Sequence, residues 1–322
     1  MDERARNWAE QRTFDGLDLT LDEILDSKSG TRVSVVIPAH DEAGTIGPIV
    51  TCIREELVSG CGLVDELVVI DSDSTDRTAA IADGAGALVF SAADIRPELG
   101  WRPGKGEAMW KSLLVTTGEL VVFIDADLTN FDSRYVTGLV APLLRHHDVS
   151  LVKGFYDRDL AILTDGASQG GRVTELTARP LMSLWWPELA GVIQPLAGEW
   201  AARRDLLETL AFPSGYGVEL AVLIDSFERR GLNAIAQVDL GLRAHVHQDL
   251  ASLGAMAAEV IAAAARRRFG DVPQSDAEIS HVKRGSDGRA DWTTRSINLE
   301  ERPALASVRA MASSTPSPTE VP

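Results

Sequence analysis

Short apolar runs alternate with amphipathic stretches along the first half of the chain. Apolar runs of this kind, bounded by turn residues, predict strands buried on both faces of a sheet. They occur at Val33–Pro38, Glu66–Ile70, Ala87–Phe90, Leu120–Ile124 and Val149–Tyr156. Helical patterns separate them at about residues 43–57, 107–116 and 133–146. The alternation predicts a doubly wound, mostly parallel α/β sheet over residues 32–156.

Two carboxylates directly follow the apolar run at Leu120–Ile124. Asp125 and Asp127 would emerge at the carboxyl edge of the sheet, where open α/β sheets bind ligands. Two hard oxygen donors suit Mg²⁺ or Mn²⁺, which in turn suits a phosphate-bearing substrate. With 48 acidic residues among 322, the same triplet also occurs at Asp71/Asp73 and Asp157/Asp159. The triplet alone therefore leaves open which pair binds a metal.

The second half is less regular. Residues 157–174 are polar and Gly-rich and predict a long functional loop. Helical patterns follow at 175–185, 217–230 and 250–269, and Val238–Val246 alternates as a strand with Arg243, His245 and His247 on one face. The polar chain from Gly285 onward is expected to be disordered. We expect an N-terminal arm at 1–31, a nucleotide-sugar-binding half at 32–156, an acceptor-binding and catalytic half at 157–270, and a C-terminal extension at 271–322.

Charge and cysteine content indicate which partners and which cellular compartment to expect. A formal net charge of −17 argues against nucleic acid and anionic membranes as partners, because both bind through clustered Lys and Arg. An anionic ligand would need a local cationic pocket. The two cysteines, Cys52 and Cys61, form no disulfide framework, and no apolar signal core or membrane-length apolar window occurs. We expect a cytoplasmic protein.

Three common nucleotide-site motifs do not fit the loop after the first strand. A dinucleotide-binding enzyme would have G-x-G-x-x-G there, but the chain has Pro-Ala-His-Asp-Glu-Ala-Gly. A nucleotidylyltransferase would have a Gly-rich basic loop, yet residues 38–44 are acidic and lack Arg and Lys. A P-loop motif is absent from the sequence.

Four ordered motifs instead resemble the GT-A fold nucleotide-sugar transferases. They are Val-Val-Ile-Pro-Ala-His-Asp-Glu at 35–42, Asp-Ser-Asp-Ser-Thr-Asp-Arg-Thr at 71–78, Gly-Lys-Gly at 104–106 and Phe-Ile-Asp-Ala-Asp at 123–127. Further motifs are Gly-Gly-Arg-Val-Thr at 170–174, Leu-Ala-Gly-Glu at 196–199, Gly-Tyr-Gly-Val-Glu at 215–219 and Arg-Ala-His at 243–245. Together they resemble the actinobacterial glucosyl-3-phosphoglycerate synthase family over roughly residues 30–270. The resemblance implies a GT-A fold with a mostly parallel central sheet and a helical C-terminal extension.

The resemblance also implies a donor site and a metal site. Binding of the nucleotide sugar would fall to Pro38, Ala39, Glu42, Ser72, Asp73, Lys105, Asp125 and Leu196. For Lys105 the alternative is a solvated surface lysine. Asp127 and His245 would hold Mg²⁺ or Mn²⁺, which neutralises charge on the departing diphosphate, an effect worth several kcal/mol.

The implied acceptor is 3-phosphoglycerate, which carries a carboxylate and a phosphate. The residues expected to bind it are Gly171, Arg172, Thr174, Tyr216 and Arg243. Backbone N–H groups, a guanidinium and a hydroxyl in one loop suit such an anion. Glu219 is the candidate carboxylate beside the acceptor hydroxyl or the glucose, and Asp125 is the second candidate catalytic residue. The alternative for Glu219 is a charge at a helix N-terminus.

The resemblance implies transfer of glucose from UDP-glucose, or from GDP-glucose, to the 2-hydroxyl of 3-phosphoglycerate. Retention of configuration and a homodimer are implied as well. The alternatives are a mannosyl or other hexosyl transferase acting on a related glycerate, and a nucleotide-sugar-binding protein without catalysis. Donor base, sugar epimer, stereochemistry and metal stay open at this point.

Overall fold

The structure is a computed structural model that describes residues 2–16, 20–158, 171–243, 250–270, 277–286 and 288–314. The strands are β1 Thr13–Asp15, β2 Val33–Ala39, β3 Glu66–Asp71, β4 Leu88–Ser91, β5 Leu120–Phe123, β6 Leu151–Arg158, β7 Trp200–Arg203, β8 Phe212–Pro213, β9 Ile235–Arg243, β10 Ala277–Arg284, β11 Ala290–Ile297 and β12 Glu301–Arg302. The helices are α1 Glu3–Arg12, α2 Leu21–Lys28, α3 Ile46–Cys52, α4 Thr78–Ala85, α5 Lys105–Ser112, α6 Arg134–Arg145, α7 Arg179–Trp185, α8 Arg204–Leu207, α9 Val218–Arg230, α10 Leu250–Phe269 and α11 Leu305–Ser314. Two π-helical segments, Ile53–Gly60 and Thr174–Ala178, extend α3 and precede α7.

The central sheet has the strand order β1-β9-β6-β7-β5-β2-β3-β4. Its neighbours are parallel except at β7, which runs antiparallel to both β5 and β6. The prediction of a mostly parallel α/β sheet is confirmed. The strand β7 was not predicted, because Trp-Ala-Ala-Arg contains no β-branched residue and no alternation.

Two apolar layers cover the two faces of this sheet. Successive residues of β2 and β5 point to opposite faces, so that Val36 and Phe123 pack with α5, α9 and α10 while Val35 and Val122 pack with α3 and α6. Both layers are buried, which explains why these strands read as continuous apolar runs. Among the described helices, none has the length and apolar character needed to cross a bilayer.

The carboxyl ends of β2 and β3 form a locked pair of turns. The Ser72 N–H donates to the Ala39 carbonyl (2.8 Å), and the Asp41 carboxylate accepts from the Thr75 N–H (2.7 Å). Asp41 and Asp73 adopt left-handed backbone angles, with φ of 56° and 65°. These turns fix one wall of the edge at which Asp125 emerges from β5.

The C-terminal extension differs from the sequence-based expectation. The prediction of disorder from Gly285 onward is wrong for β11, β12 and α11, while residues 315–322 lie outside the described part of the chain. β12 pairs antiparallel with β8, and β11 pairs with β10 in a hairpin. The polar composition suggested disorder, but ion pairs attach this segment to the rest of the chain, among them Arg267 with Glu301 (2.9 Å) and Arg302 with Glu107 (2.5 Å).

Candidate functional site

Lys105 lies at the first turn of α5, between two glycines that allow close backbone contact. A Cβ at Gly104 would lie 2.4 Å from the Ser214 carbonyl oxygen, and one at Gly106 would lie 1.8 Å from that of Pro213. Gly104 also has a φ of 121°, which L-residues rarely adopt. The Gly-Lys-Gly sequence therefore lets the start of α5 pack directly on the loop that precedes α9.

The Lys105 ammonium joins two carboxylates that come from different elements. Its Nζ lies 2.5 Å from Asp125 Oδ1, after β5, and 2.7 Å from Glu219 Oε1, in the first turn of α9. Burial alone would lower the pKa of Lys105, but Asp125 and Glu219 outweigh it and raise the pKa well above its ordinary value. Lys105 is therefore a fixed cation in the site and not a solvated surface lysine. Glu219 is more than a helix N-terminal charge, since its side chain is 6% exposed and paired.

The Leu196–Glu199 segment packs against the Asp125 carboxylate. A Cβ at Gly198 would lie 2.1 Å from Asp125 Oδ2, so only glycine leaves room for this side chain. The Gly154 N–H donates to the Glu199 carbonyl (2.9 Å), which joins the segment to β6. Leu196 is partly buried against the apolar layer that contains α5 and α9.

Lys153 is a buried lysine that the sequence reasoning missed. It lies in the middle of β6 with 1% exposure, and its Nζ donates to the Ala197 carbonyl (2.6 Å) and lies 5.8 Å from the centre of the Trp200 ring. Burial lowers the pKa of Lys153 to about 8; the charge of Lys105 acts in the same direction, and Glu219, Glu199 and Asp125 oppose it. The detectable signal was a lysine inside an otherwise apolar strand.

Glu42, after β2, is influenced by the two carboxylates that follow β5. Burial, followed by the charge of Asp127 and then that of Asp125, raises the pKa of Glu42. These carboxylates at the carboxyl edge of the sheet are thus near enough for their charges to act on one another, and carboxylate oxygens are ligands that suit Mg²⁺ or Mn²⁺. His245, the second predicted metal ligand, lies outside the described residues, and the described part of the chain contains no group of three or more His, Cys, Asp or Glu residues able to hold a metal.

The predicted nucleotide-binding residues lie on the two locked turns. Pro38 and Ala39 end β2 in buried positions, while Ser72 is partly buried and Asp73 is exposed after β3. The Glu42 N–H donates to Thr78 Oγ1 (2.7 Å). These residues and Lys105 thus border the same sheet edge.

The predicted acceptor-binding residues are only partly brought together by the described structure. Arg172 is exposed and Thr174 is 6% exposed. The expectation of a loop through Thr174 is wrong, because the Glu175 N–H donates to the Gly171 carbonyl (3.0 Å) and a helix begins there. Arg243 ends β9, but its side chain lies outside the described part.

Tyr216 lies beside the carboxylates of the site. It is 46% exposed, and its N–H donates to Glu259 Oε2 (2.7 Å) on α10. Burial raises the pKa of the Tyr216 hydroxyl, and the charges of Glu259, Glu219 and Asp125 raise it further against the effect of Lys105. Glu259 was also missed by the sequence reasoning, although it is an acid within an Ala-rich helix.

Comparisons with known proteins agree with this architecture. The model of the family described as glycosyl transferase family 2 matches residues 34–197. The glucosyl-3-phosphoglycerate synthase of Mycolicibacterium paratuberculosis is 45% identical over 308 residues, which cover 94% of this chain and 92% of that protein.

Solved structures of the glucosyl-3-phosphoglycerate synthase of Mycobacterium tuberculosis are also similar. Its complex with Mn²⁺ and UDP-glucose has a TM-score of 0.82 at 44% identity, covering 92% of this chain and 99% of that one. Its complex with Mn²⁺, UDP and phosphoglyceric acid has a TM-score of 0.83 at 44% identity, with the same coverage. Another complex of that enzyme holds Mg²⁺ and UDP.

Replacing Lys153 with Met should change how stability depends on pH. The pKa of Lys153 is about 8 in the folded chain against an ordinary value of 10.5, so the unfolded chain binds more protons between these values. The wild-type free energy of unfolding should therefore rise with pH across this window, relative to Lys153→Met. Denaturant titrations of both proteins from pH 7 to 11 measure this free energy of unfolding. The exposed Lys283→Met is the matched control, and parallel curves for wild type and Lys153→Met would contradict the expectation.

Proposed function

Because the chain belongs to glycosyl transferase family 2 and, within it, to the glucosyl-3-phosphoglycerate synthase family, we propose that it transfers glucose from UDP-glucose to the 2-hydroxyl of 3-phosphoglycerate with retention. It is a metal-dependent glycosyltransferase. The observation that carries the proposal is the Lys105 ammonium held between Asp125 and Glu219 at the sheet edge. A fixed cation there suits a diphosphate leaving group, and two carboxylates suit the hydroxyls of a sugar.

The donor would lie along the carboxyl ends of β2, β3 and β5. The turns that contain Pro38, Ala39, Glu42, Ser72 and Asp73 would hold uridine and ribose. Lys105 would face the diphosphate, with Asp125 and the partly buried Leu196 beside the sugar. Gly198 supports this assignment, because its missing side chain lets the Asp125 carboxylate keep its position.

Asp127 and His245 would hold the Mg²⁺ or Mn²⁺ ion. The bound ion supplies charge neutralisation for the departing diphosphate. The raised pKa of Glu42 supports a cation near Asp127, because a positive charge there would relieve the repulsion among these carboxylates.

The acceptor would lie beside Tyr216 and Glu219. Gly171, Arg172 and Thr174, with Arg243, would bind its carboxylate and phosphate, which a protein of net charge −17 must hold with local cations. Glu219 would orient the acceptor hydroxyl or the glucose. The half-exposed ring of Tyr216 would cover the acceptor on the solvent side.

We propose same-face attack for the retaining reaction. Glu219 is a poor nucleophile because its carboxylate is neutralised by the Lys105 ammonium at 2.7 Å. The acceptor hydroxyl would instead attack C1 of glucose on the face from which UDP leaves. Its proton would pass to the departing phosphate oxygen, so the C–O bond to UDP breaks as the new one forms. A glucose adduct trapped on Glu219 would overturn this proposal.

The purified enzyme should form glucosyl-3-phosphoglycerate from UDP-glucose, 3-phosphoglycerate and Mg²⁺ or Mn²⁺. Mass spectrometry of the product and UDP release measure the reaction. We expect activity to be lost in excess chelator and kcat to fall at least a hundredfold in Asp127→Ala. Charge neutralisation by the metal is worth several kcal/mol, and each 1.4 kcal/mol of activation free energy changes the rate about tenfold. The exposed Asp83→Ala is the matched control.

A donor panel separates the alternatives. Preference for GDP-glucose would show that the donor base is guanine and not uracil. Preference for a mannose donor would favour the mannosyl transferase. Binding of UDP-glucose without any turnover would favour the binding protein without catalysis.

Arg172→Ala should raise the KM for 3-phosphoglycerate more than the KM for UDP-glucose. A charge-assisted hydrogen bond is worth about 1.5–3 kcal/mol, so the acceptor KM should rise roughly tenfold to hundredfold. Initial-rate kinetics with each substrate varied measure the two constants. Arg229→Ala, an exposed arginine on α9, controls for the change in net charge, and equal effects on both substrates would reassign Arg172.

We also propose a homodimer and keep the prediction of a cytoplasmic location. The β10–β11 hairpin exposes Val282 (56%) and Trp292 (67%), which are cross-strand partners, and this apolar pair suits a second copy of the chain. Cys52 and Cys61 are free thiols, which suits a reducing compartment.

Trp292→Lys should weaken the dimer by placing a charge in the proposed interface. Sedimentation velocity over a concentration series should show a dimer for the wild type and a shift toward monomer for the variant. Leu88→Lys, at the exposed strand β4, is the matched control. A monomeric wild type, or the same shift in both variants, would contradict an interface on the hairpin.

A further inference from the structure

Residues 298–303, here called the C-terminal strap, contact β8, the start of α5 and the loop before α9. β12 within the strap pairs antiparallel with β8, and the Ser214 N–H donates to the Glu300 carbonyl (2.9 Å). The strap thus adds backbone hydrogen bonds to the loop that leads through Tyr216 to Glu219. It lies outside residues 34–197, the part matched by the glycosyl transferase family 2 model.

Arg302 of the strap is anchored in α5. Its guanidinium donates to both oxygens of the fully buried Glu107 carboxylate, at 2.6 Å and 2.5 Å, and to the carbonyls of Leu99 (2.7 Å) and Gly100 (2.9 Å). It also lies 5.0 Å from the centre of the Trp110 ring. Glu107 follows Lys105 by two residues in the first turn of the same helix. The pair therefore fixes the position and axis of the helix end that presents Lys105.

Asn298 provides a second attachment. Its Nδ2 donates to the Pro103 carbonyl (2.6 Å), just before Gly104, and its N–H donates to Glu259 Oε1 (3.0 Å). The other oxygen of Glu259 accepts from the Tyr216 N–H (2.7 Å). The partly buried carboxylate of Glu259 thus connects the strap to the loop at Tyr216, while the side chain of Asn298 holds the loop before Lys105.

We propose that the C-terminal strap is a positioning element for the donor site, acting through Arg302 and Asn298. It holds the Lys105 loop and the Tyr216–Glu219 loop in register, so that the Lys105 ammonium meets Asp125 and Glu219 together. Misplacement of a substrate-binding group by about 1 Å costs up to a hundredfold in rate. The side chains of Arg302 and Asn298 reach the Lys105 end of α5, so loss of their contacts impairs use of the nucleotide sugar. The backbone hydrogen bonds of the strap to Ser214 and Glu259 still hold the loop at Tyr216 and leave acceptor binding unchanged. The inference rests on the proposed function, because the substrate assigned to Lys105 is the donor diphosphate.

Two variants test the strap, one at the buried Arg302 and one at the partly buried Asn298. Arg302→Lys keeps the buried charge but loses the bidentate contact, and Asn298→Ala removes a side chain that is only partly buried. We expect kcat/KM for UDP-glucose to fall about tenfold or more in Arg302→Lys and severalfold in Asn298→Ala. The KM for 3-phosphoglycerate should stay within about twofold of the wild type. Circular dichroism and thermal melts establish that each variant is folded.

Arg309→Ala is the matched control within the same extension. Arg309 lies on α11, outside the strap, and pairs with Glu208 (2.8 Å), so its removal should leave both substrates unaffected. If Arg302→Lys and Asn298→Ala lower the melting temperature but keep wild-type kcat/KM in the folded fraction, the strap is only structural and the proposal is overturned.

Failure of the proposed function would look different. The wild type would then show no glucose transfer at all, whatever the state of the strap. In that case the affinity for UDP-glucose with Mn²⁺, measured by calorimetry, still tests the strap. Weaker binding of UDP-glucose in Arg302→Lys and Asn298→Ala, but not in Arg309→Ala, supports the positioning role of the strap. Equal binding in all three variants overturns that role.

Discussion

The ammonium of Lys105 and its two carboxylates form the interaction on which the site depends. They join the start of α5, the end of β5 and the start of α9, three elements that are far apart in sequence. Each charge alone would be costly to place in this partly buried position, and pairing with good geometry offsets that cost. The contact also explains the surrounding glycines. Gly104 and Gly106 bring α5 close to the loop before α9, and Gly198 leaves space for Asp125.

This strongly acidic protein holds two lysines at fixed points near the carboxyl edge of the sheet. Lys105 lies at the edge of the sheet and Lys153 lies beneath it in β6, where it supports the Ala197 carbonyl. The two lysines influence each other, since the charge of Lys105 helps to lower the pKa of Lys153 to about 8. These two positive charges are therefore enclosed, Lys153 fully and Lys105 partly, in a chain of net charge −17. This arrangement favours a small anion that enters the pocket over an extended polyanion.

The sequence predicted the parallel strands, their turns and the carboxylates at their ends, because burial on both faces leaves continuous apolar runs. It did not predict β7, whose alanines gain strand structure only from neighbours on both sides. It also missed Lys153, Glu259 and Arg302, whose importance lies in partners distant along the chain. Arg302 and Glu107 are separated by 195 positions, so no local pattern relates them. Ordered motifs predicted a donor site at the sheet edge, whereas long-range contacts had to be seen in the structure.

The reversed direction of β7 has a consequence for how the site is enclosed. In a fully parallel sheet, only segments leaving a strand reach the carboxyl edge, and every arriving segment enters from the opposite side. Because β7 runs against β5, with Trp200 opposite Phe123, the polypeptide arriving at β7 descends past the tip of β5. Gly198 and Glu199 thus become a wall that is continuous with the sheet itself. A single inverted strand gives this pocket a rigid side that no flexible crossover loop has to supply.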